Sequence, residues 1–345
     1  MSKRSGRSES RKTFGQIAGP IRGFHEILTN FATPPLLFLS LVAFIQPARS
    51  QSIWFSPRSG LERVPDFMEL FHEKAPWEEA ASHVAVFEIS QWMSAAAPEA
   101  ELRQIFDDLR RRQIDLSVGL LPLSPGPDGC GIGVEGYSAP GQSLSDATRL
   151  QKLGADIAYF VLDEPLFYGH EFKGNPKQRA CQSSIPDIAK EVARRISQVR
   201  TVYPNVPIGD VEPFPVSKDW NGKLEQWFDA FQAAIGERLA FFRLDMQWKG
   251  PWREQLPELV EILHRRGIPL QVIYNGTGNA ASDEEWIQGA LAHAKEFEEG
   301  AGVTPEGVAI QCWTPRPSRL LPESDPKTLT SLINQYANTK RGNTR

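Results

Sequence analysis

Six acidic residues, Glu88, Asp163, Glu164, Asp210, Glu212 and Asp245, stand where short apolar runs give way to polar sequence. Carboxyls brought together in this way are the groups that transfer protons and bind hydroxyls. Two arginines, Arg58 and Arg243, occupy equivalent positions and can serve as counter-charges, because clustered carboxylates taken out of water need partners or raised pKa values. The same run ends carry the amides Gln247, Asn275 and Gln311 and the rings Trp92, Phe167, Trp248, Tyr274 and Trp313. A single acid at a strand end is more often a helix cap or a solvated loop group. As a set, acids beside exposed rings are the chemistry of a carbohydrate site: acids for proton transfer and hydroxyl hydrogen bonds, rings for stacking on the apolar faces of sugars.

These residues meet only if the runs that carry them form one sheet. Eight β-rich runs read as strands: Ile53–Ser56, Val84–Ile89, Leu116–Leu121, Ile157–Leu162, Val206–Val211, Leu239–Leu244, Leu270–Tyr274 and Val308–Cys312. Between them lie helical patterns at 101–112, 185–202, 224–235, 252–266 and 283–299, and the last strand is followed by 327–336. Strict β-then-α alternation demands parallel strands with crossover helices, and eight units make a single (β/α)8 barrel over residues 51–340. The competing architecture is an open doubly wound sheet, but no strand runs into a GxGxxG or GxxxxGK[ST] turn. A barrel places its active site at the carboxyl ends of the strands, where the polar residues cluster. Side-chain alternation puts Glu88 with Ser90, Asp210 with Glu212, Arg243 with Asp245 and Gln247, and Gln311 with Trp313 on one side each, expected to be the interior. Strand 4 stays ambiguous, since Asp163 and Glu164 are adjacent.

The run Tyr159-Phe160-Val161-Leu162-Asp163-Glu164-Pro165 resembles the strand-4 end of the clan A glycoside hydrolases, where an Asn-Glu-Pro-type sequence carries the acid/base glutamate. The resemblance implies that Glu164 is the general acid and that Trp313 floors the subsite beside the cleaved bond. The chain departs from that pattern at strand 7, where Tyr274-Asn275-Gly276 has no carboxylate to act as nucleophile. Glu164 then pairs with a strand-5 or strand-6 acid, Asp210, Glu212 or Asp245, in an inverting reaction or in a strand-4 and strand-6 pair like that of α-galactosidase-like barrels. The DxxDxDxE signature of the chitinases is absent. The expected activity is hydrolysis of, or transglycosylation on, a polysaccharide or oligosaccharide. A non-catalytic sugar-binding barrel serving exopolysaccharide export or assembly is the alternative.

Composition narrows the remaining classes. Lys plus Arg is 38 and Asp plus Glu is 42, a net charge of −4, which offers no basic field for nucleic acid. The six histidines form no HxH or HExxH pair and the three cysteines no CxxC, so no metal and no cofactor is expected. Basic residues up to Arg22, the ten-residue apolar run 36–45 and Ala48-Arg49-Ser50 read as an export signal over residues 1–50, too short to span a bilayer and removed to leave Gln51. Export to the periplasm or beyond permits disulfides, and Cys130 and Cys181, both in Gly/Pro-rich loops on one face of the barrel, are expected to pair. The Gly-rich segment 129–133 reads as a flexible surface loop, Cys312 as a buried free thiol and 341–345 as a tail.

Overall fold

The computed structural model describes residues 51–60 and 63–342; the expected export signal lies outside the described residues. Eight strands form, β1 (Ser52–Ser56), β2 (Val84–Ile89), β3 (Asp115–Leu120), β4 (Ile157–Asp163), β5 (Ile208–Phe214), β6 (Phe241–Met246), β7 (Leu270–Tyr274) and β8 (Gly307–Gln311). Each pairs in parallel with the next, and β8 pairs with β1, closing a single (β/α)8 barrel. Nine α-helices are described around it: α1 (Glu78–His83), α2 (Gln91–Ala96), α3 (Glu99–Arg112), α4 (Gln142–Lys152), α5 (Ile185–Arg200), α6 (Trp220–Ile235), α7 (Trp252–Arg266), α8 (Asp283–Lys295) and α9 (Leu329–Gly342). No described helix is long and apolar enough to cross a membrane.

Local chemistry sets these boundaries. Ser184 and Ser282 cap α5 and α8 by accepting from the backbone N–H groups of Asp187 and Glu285, and Gly236 and Gly267 end α6 and α7 in the left-handed conformation. Two elements differ from the sequence reading. The helix expected over 283–299 gives way after Lys295 to a wider turn, Glu296–Gly300. Helix α4 was not expected, because it buries small and polar residues, Ser143, Asp146 and Ala147, beside Leu150 rather than a broad apolar stripe.

Register decides which side chains enter the barrel, since residues level with one another on neighbouring parallel strands share a face. Trp54, Val86, Val161, Phe241, Ile273 and Ala309 form a closed interior cluster, with Tyr159 and Val211 packed on it. The outward residues, such as Phe55, Phe87, Leu162, Phe242 and Val308, join the larger core under the helices. Gly209 sits level with Phe241, and a Cβ there would lie 2.0 Å from the Phe241 ring.

The long loop after β3 is fixed rather than free. Cys130 bonds to Cys181 in the loop after β4, as expected, and Gly131 N–H donates to the Arg179 carbonyl at 2.9 Å. The fully buried Arg195 of α5 donates to the carbonyls of Ser138 and Ala139, each at 2.9 Å, and to the Ser124 hydroxyl at 2.8 Å. The flexible loop expected at 129–133 is thereby corrected: a disulfide and a guanidinium hold it. Cys312, just past β8, is a buried free thiol.

Gly209→Ala should overpack the interior against Phe241, costing about 1–3 kcal/mol and lowering the melting temperature, and Phe241→Leu should relieve part of that loss in the double variant. Thermal melts of the three variants check this; an unchanged melt for Gly209→Ala contradicts the packing described.

Candidate functional site

At the carboxyl ends of the strands lies a cleft of about 1480 Å³, walled by the loops after β1, β2, β3, β4, β5, β6 and β8. Besides Glu88 of β2, its acids arrive from three elements. β4 ends at Asp163, and Glu164 follows with φ 49°, the left-handed region that side chains other than glycine rarely occupy. Two backbone hydrogen bonds hold it there: Glu164 N–H donates to the Val211 carbonyl at 3.1 Å, and the Glu164 carbonyl accepts from Tyr168 N–H at 3.0 Å. This turn is why adjacent residues, which alternate in a regular strand, both line the cleft. It resolves the ambiguity of strand 4. β6 supplies Asp245, and the loop after β3 supplies Glu135, whose carboxylate accepts from the Tyr168 hydroxyl at 2.6 Å.

Electrostatics separates these acids from ordinary surface groups. Burial, reinforced by neighbouring carboxylates, pushes Asp163 up to about 8 and Asp245 up to about 7. Glu164 is raised well above its ordinary value, first by burial and then by Asp245, Asp163, Glu212 and Glu135. The Tyr168 hydroxyl is held protonated by burial and by its bond to Glu135. Each cause disfavours charge, so near neutrality these carboxyls hold protons that exposed ones would have lost.

Below them an ion pair crosses the barrel. Arg243 Nη1 contacts both oxygens of Glu88, at 3.1 and 2.9 Å, and its Nε donates to Gln271 Oε1 at 3.0 Å. The guanidinium rests 4.6 Å from the Trp54 ring centroid. Glu88 and Arg243 therefore floor the cleft, neutralising one another. Arg58, Gln247, Gln311 and Trp313 line it as expected, and Trp92, at 56% exposure, and Trp313, at 47%, present open rings.

Five expected site residues lie elsewhere. Asp210 and Glu212 were assigned to the interior, but Val211 is level with Asp163 and Arg243, so β5 runs in the opposite phase. Asp210 accepts from Trp227 Nε1 of α6 at 2.7 Å, and Glu212 accepts from the N–H groups of Leu166 and Phe167 at 2.6 and 2.9 Å. Both are fully buried and neither lines the cleft; Glu212 instead braces the turn after Glu164. Tyr274 is level with outward Ile310, and its hydroxyl donates to Glu298 at 2.9 Å. Trp248 stacks on His293 at 4.2 Å and donates to Asn275 Oδ1 at 3.0 Å, which closes a cluster of Trp248, Asn275 and His293 outside the cleft. The sequence reading missed Glu135, Tyr168 and Lys249, all of which line the cleft. Glu135 sits in a Gly-rich loop without periodicity, where no pattern singles it out. Among the described residues no group of three or more His, Cys, Asp or Glu side chains is placed to hold a metal ion.

No protein-family model matches the chain, and no curated protein matches it in sequence. Solved structures similar to it include a glycoside hydrolase family 10 enzyme from Paenibacillus barcinonensis, at 11% identity and TM-score 0.47, covering 77% of this chain and 84% of that one. Also similar are a truncated 3-deoxy-D-arabino-heptulosonate 7-phosphate synthase from Thermotoga maritima (10% identity, TM-score 0.44, 85% and 87%) and a morphinone reductase (11%, 0.43, 76% and 82%). Glycosidases, an aldol-type synthase and a reductase thus stand side by side, and the site itself has to carry any functional reading.

The raised carboxyls imply a stability cost with a definite sign. Asp163 is protonated when folded up to about pH 8 and ionises near 4 when unfolded, so its contribution to stability falls as pH rises from about 4 to about 8. Asp163→Asn, which keeps the shape without the ionisation, should raise the melting temperature at pH 8 by about 2–4 °C and have little effect at pH 4. A variant less stable than the parent at pH 8 contradicts the assignment.

Proposed function

We propose that the protein is a glycoside hydrolase, or a transglycosylase, acting on an oligosaccharide or polysaccharide, with Glu164 as general acid and Asp245 as its partner. The observation that carries this reading is the convergence of Glu164, Asp163 and Asp245, with their raised pKa values, in a cleft rimmed by the exposed rings of Trp92 and Trp313. With Asp210 and Glu212 turned away from the cleft, the partner comes from β6. Protonated Glu164 gives its proton to the glycosidic oxygen as the bond to the anomeric carbon breaks. Asp245, ionised, takes a proton from the water that attacks that carbon, and its charge stabilises the positive sugar ring in the transition state. Trp313 supports the sugar beside the cleaved bond, and Asp163 accepts its hydroxyl hydrogens.

We place the protein in the periplasm or outside the cell. The basic and apolar pattern of residues 1–50 supports this, and so does the Cys130–Cys181 disulfide, a bond that persists in oxidising compartments.

Glu164→Gln keeps the side chain's shape but has no proton to give, and Asp245→Asn cannot act as base. Each should lower turnover of a glycoside with a poor leaving group by about 10²–10⁴-fold with a smaller change in binding. Turnover should rise with pH through about 7 as Asp245 ionises, and fall at higher pH as Glu164 loses its proton. Asp245→Asn should remove the acidic limb of that profile. Wild-type turnover by Glu164→Gln excludes Glu164 as the acid.

A further inference from the structure

The cations of the cleft are not all accounted for by its acids. Arg243 is 1% exposed and bound to Glu88 and Gln271, yet its Nη2 has no hydrogen-bond partner. Arg58, two residues beyond the end of β1, has a buried Nε without a partner, and no ion pair to any described residue involves it. Gln311 of β8 is level with Ser56 of β1 and has a buried, unpartnered Oε1. A buried guanidinium donor or amide oxygen left unpaired costs stability, and native structures rarely tolerate several at one place without something to satisfy them.

All three groups line the cleft: Arg58 and Gln311 come from neighbouring strands, and Arg243 reaches its floor from β6. β8 and β1 are neighbours, and Arg58 and Trp313, each two residues past the level pair Ser56 and Gln311, both line the cleft; Arg58 lies near enough to act on the thiol of Cys312, the residue before Trp313. Glu88 of β2 is paired with Arg243, and the other acids of the cleft come from the end of β4, from β6 and from the loop after β3. Charge interactions follow the same division: Arg58 acts on the Cys312 thiol at the end of β8, whereas the shifts of Asp163, Glu164 and Asp245 arise from burial and from other carboxylates. The raised acids thus stand on other elements than β8 and β1, which bring to the cleft Arg58, without an ion pair among the described residues, and the exposed indole of Trp313.

We propose that this part of the cleft is a subsite for a sugar bearing an anionic substituent, a uronate whose carboxylate is held by Arg58 while the ring rests on Trp313. A guanidinium and a carboxylate form charge-assisted, two-pronged hydrogen bonds that a neutral hydroxymethyl group cannot match. Gln311 Oε1 and Arg243 Nη2 are then an acceptor and a donor for the hydroxyls of the same sugar. The proposal rests on the carbohydrate reading of the cleft and extends it to an acidic glycan.

The test measures binding rather than turnover, so it stands apart from the assignment of Glu164. The disulfide-intact protein is titrated calorimetrically with oligogalacturonate, oligomannuronate and oligoglucuronate, and with the carboxyl-reduced form of each. At least one acidic oligosaccharide should bind more tightly than its reduced counterpart, with an advantage that shrinks as salt is raised. Arg58→Gln should weaken that oligosaccharide by about 10–100-fold and leave the reduced form unaffected. Its melting temperature should not fall, because among the described residues Arg58 has no ion pair or side-chain hydrogen bond to lose. Equal binding of acidic and reduced forms, equal binding by wild type and Arg58→Gln, or binding of no acidic member overturns the proposal. If Glu164→Gln retains full turnover while the Arg58 effect persists, the acid assignment fails and the subsite stands.

Discussion

Asp163, Glu164 and Asp245, half-buried at the barrel mouth, lose part of their hydration, and among the described residues none of them gains an ion pair in return. Desolvation without a cation makes the charged forms expensive, so the carboxyls keep their protons into the neutral range. A flexible chain would relieve this by moving the acids outward into water. Here each is tied to a rigid element. Glu164 is held in a left-handed turn by bonds to the Val211 carbonyl and the Tyr168 N–H, Asp245 is part of β6, and the loop of Glu135 is fastened by a disulfide and by Arg195. The stability lost at the mouth is what gives the site acids able to donate at neutral pH.

The barrel interior supports that arrangement by mixing apolar and paired polar layers. Trp54, Tyr159 and Phe241 pack around the lower part, and Arg243 stacks on Trp54 while bonding to Glu88 above. The pair is buried and its charges oppose one another, yet the Glu88 carboxylate still helps to raise Asp163 overhead. β5 makes the contrast. Its two acids face outward, where Asp210 meets the Trp227 indole and Glu212 meets two backbone N–H groups, and each therefore fastens one element to another. Glu212 still contributes to the site at one remove, because the turn it braces follows directly on Glu164.

The sequence made the fold legible because the apolar runs of a parallel barrel are short, and most of them are separated by amphipathic helices. Runs such as Val84–Ile89 and Leu270–Tyr274 could be bounded to the residue. The phase of a strand was harder to read. β5 is buried on both faces, and its Gly209-Asp210-Val211-Glu212 pattern fits either orientation until the level of Val211 with Asp163 and Arg243 is known. β7 shows the same limit, for Tyr274 and Asn275 sit where site residues are expected and instead bond to Glu298 and Trp248. Glu135 was invisible for another reason: it is brought to the mouth by a loop whose path depends on the Cys130–Cys181 bond and on Arg195, contacts that span tens of residues and leave no local pattern.

The central claim is that Glu164 and Asp245 flank a glycosidic bond. A crystal structure of Glu164→Gln with an uncleaved oligosaccharide in the cleft tests it most directly. The account predicts a glycosidic oxygen within about 2.6–3.2 Å of the Gln that replaces Glu164, a sugar ring lying on Trp313, and Asp245 facing the anomeric carbon from the other side with room for a water. A sugar bound with its glycosidic oxygens remote from residue 164, or with Asp245 bonded only to ring hydroxyls away from the anomeric carbon, would contradict it.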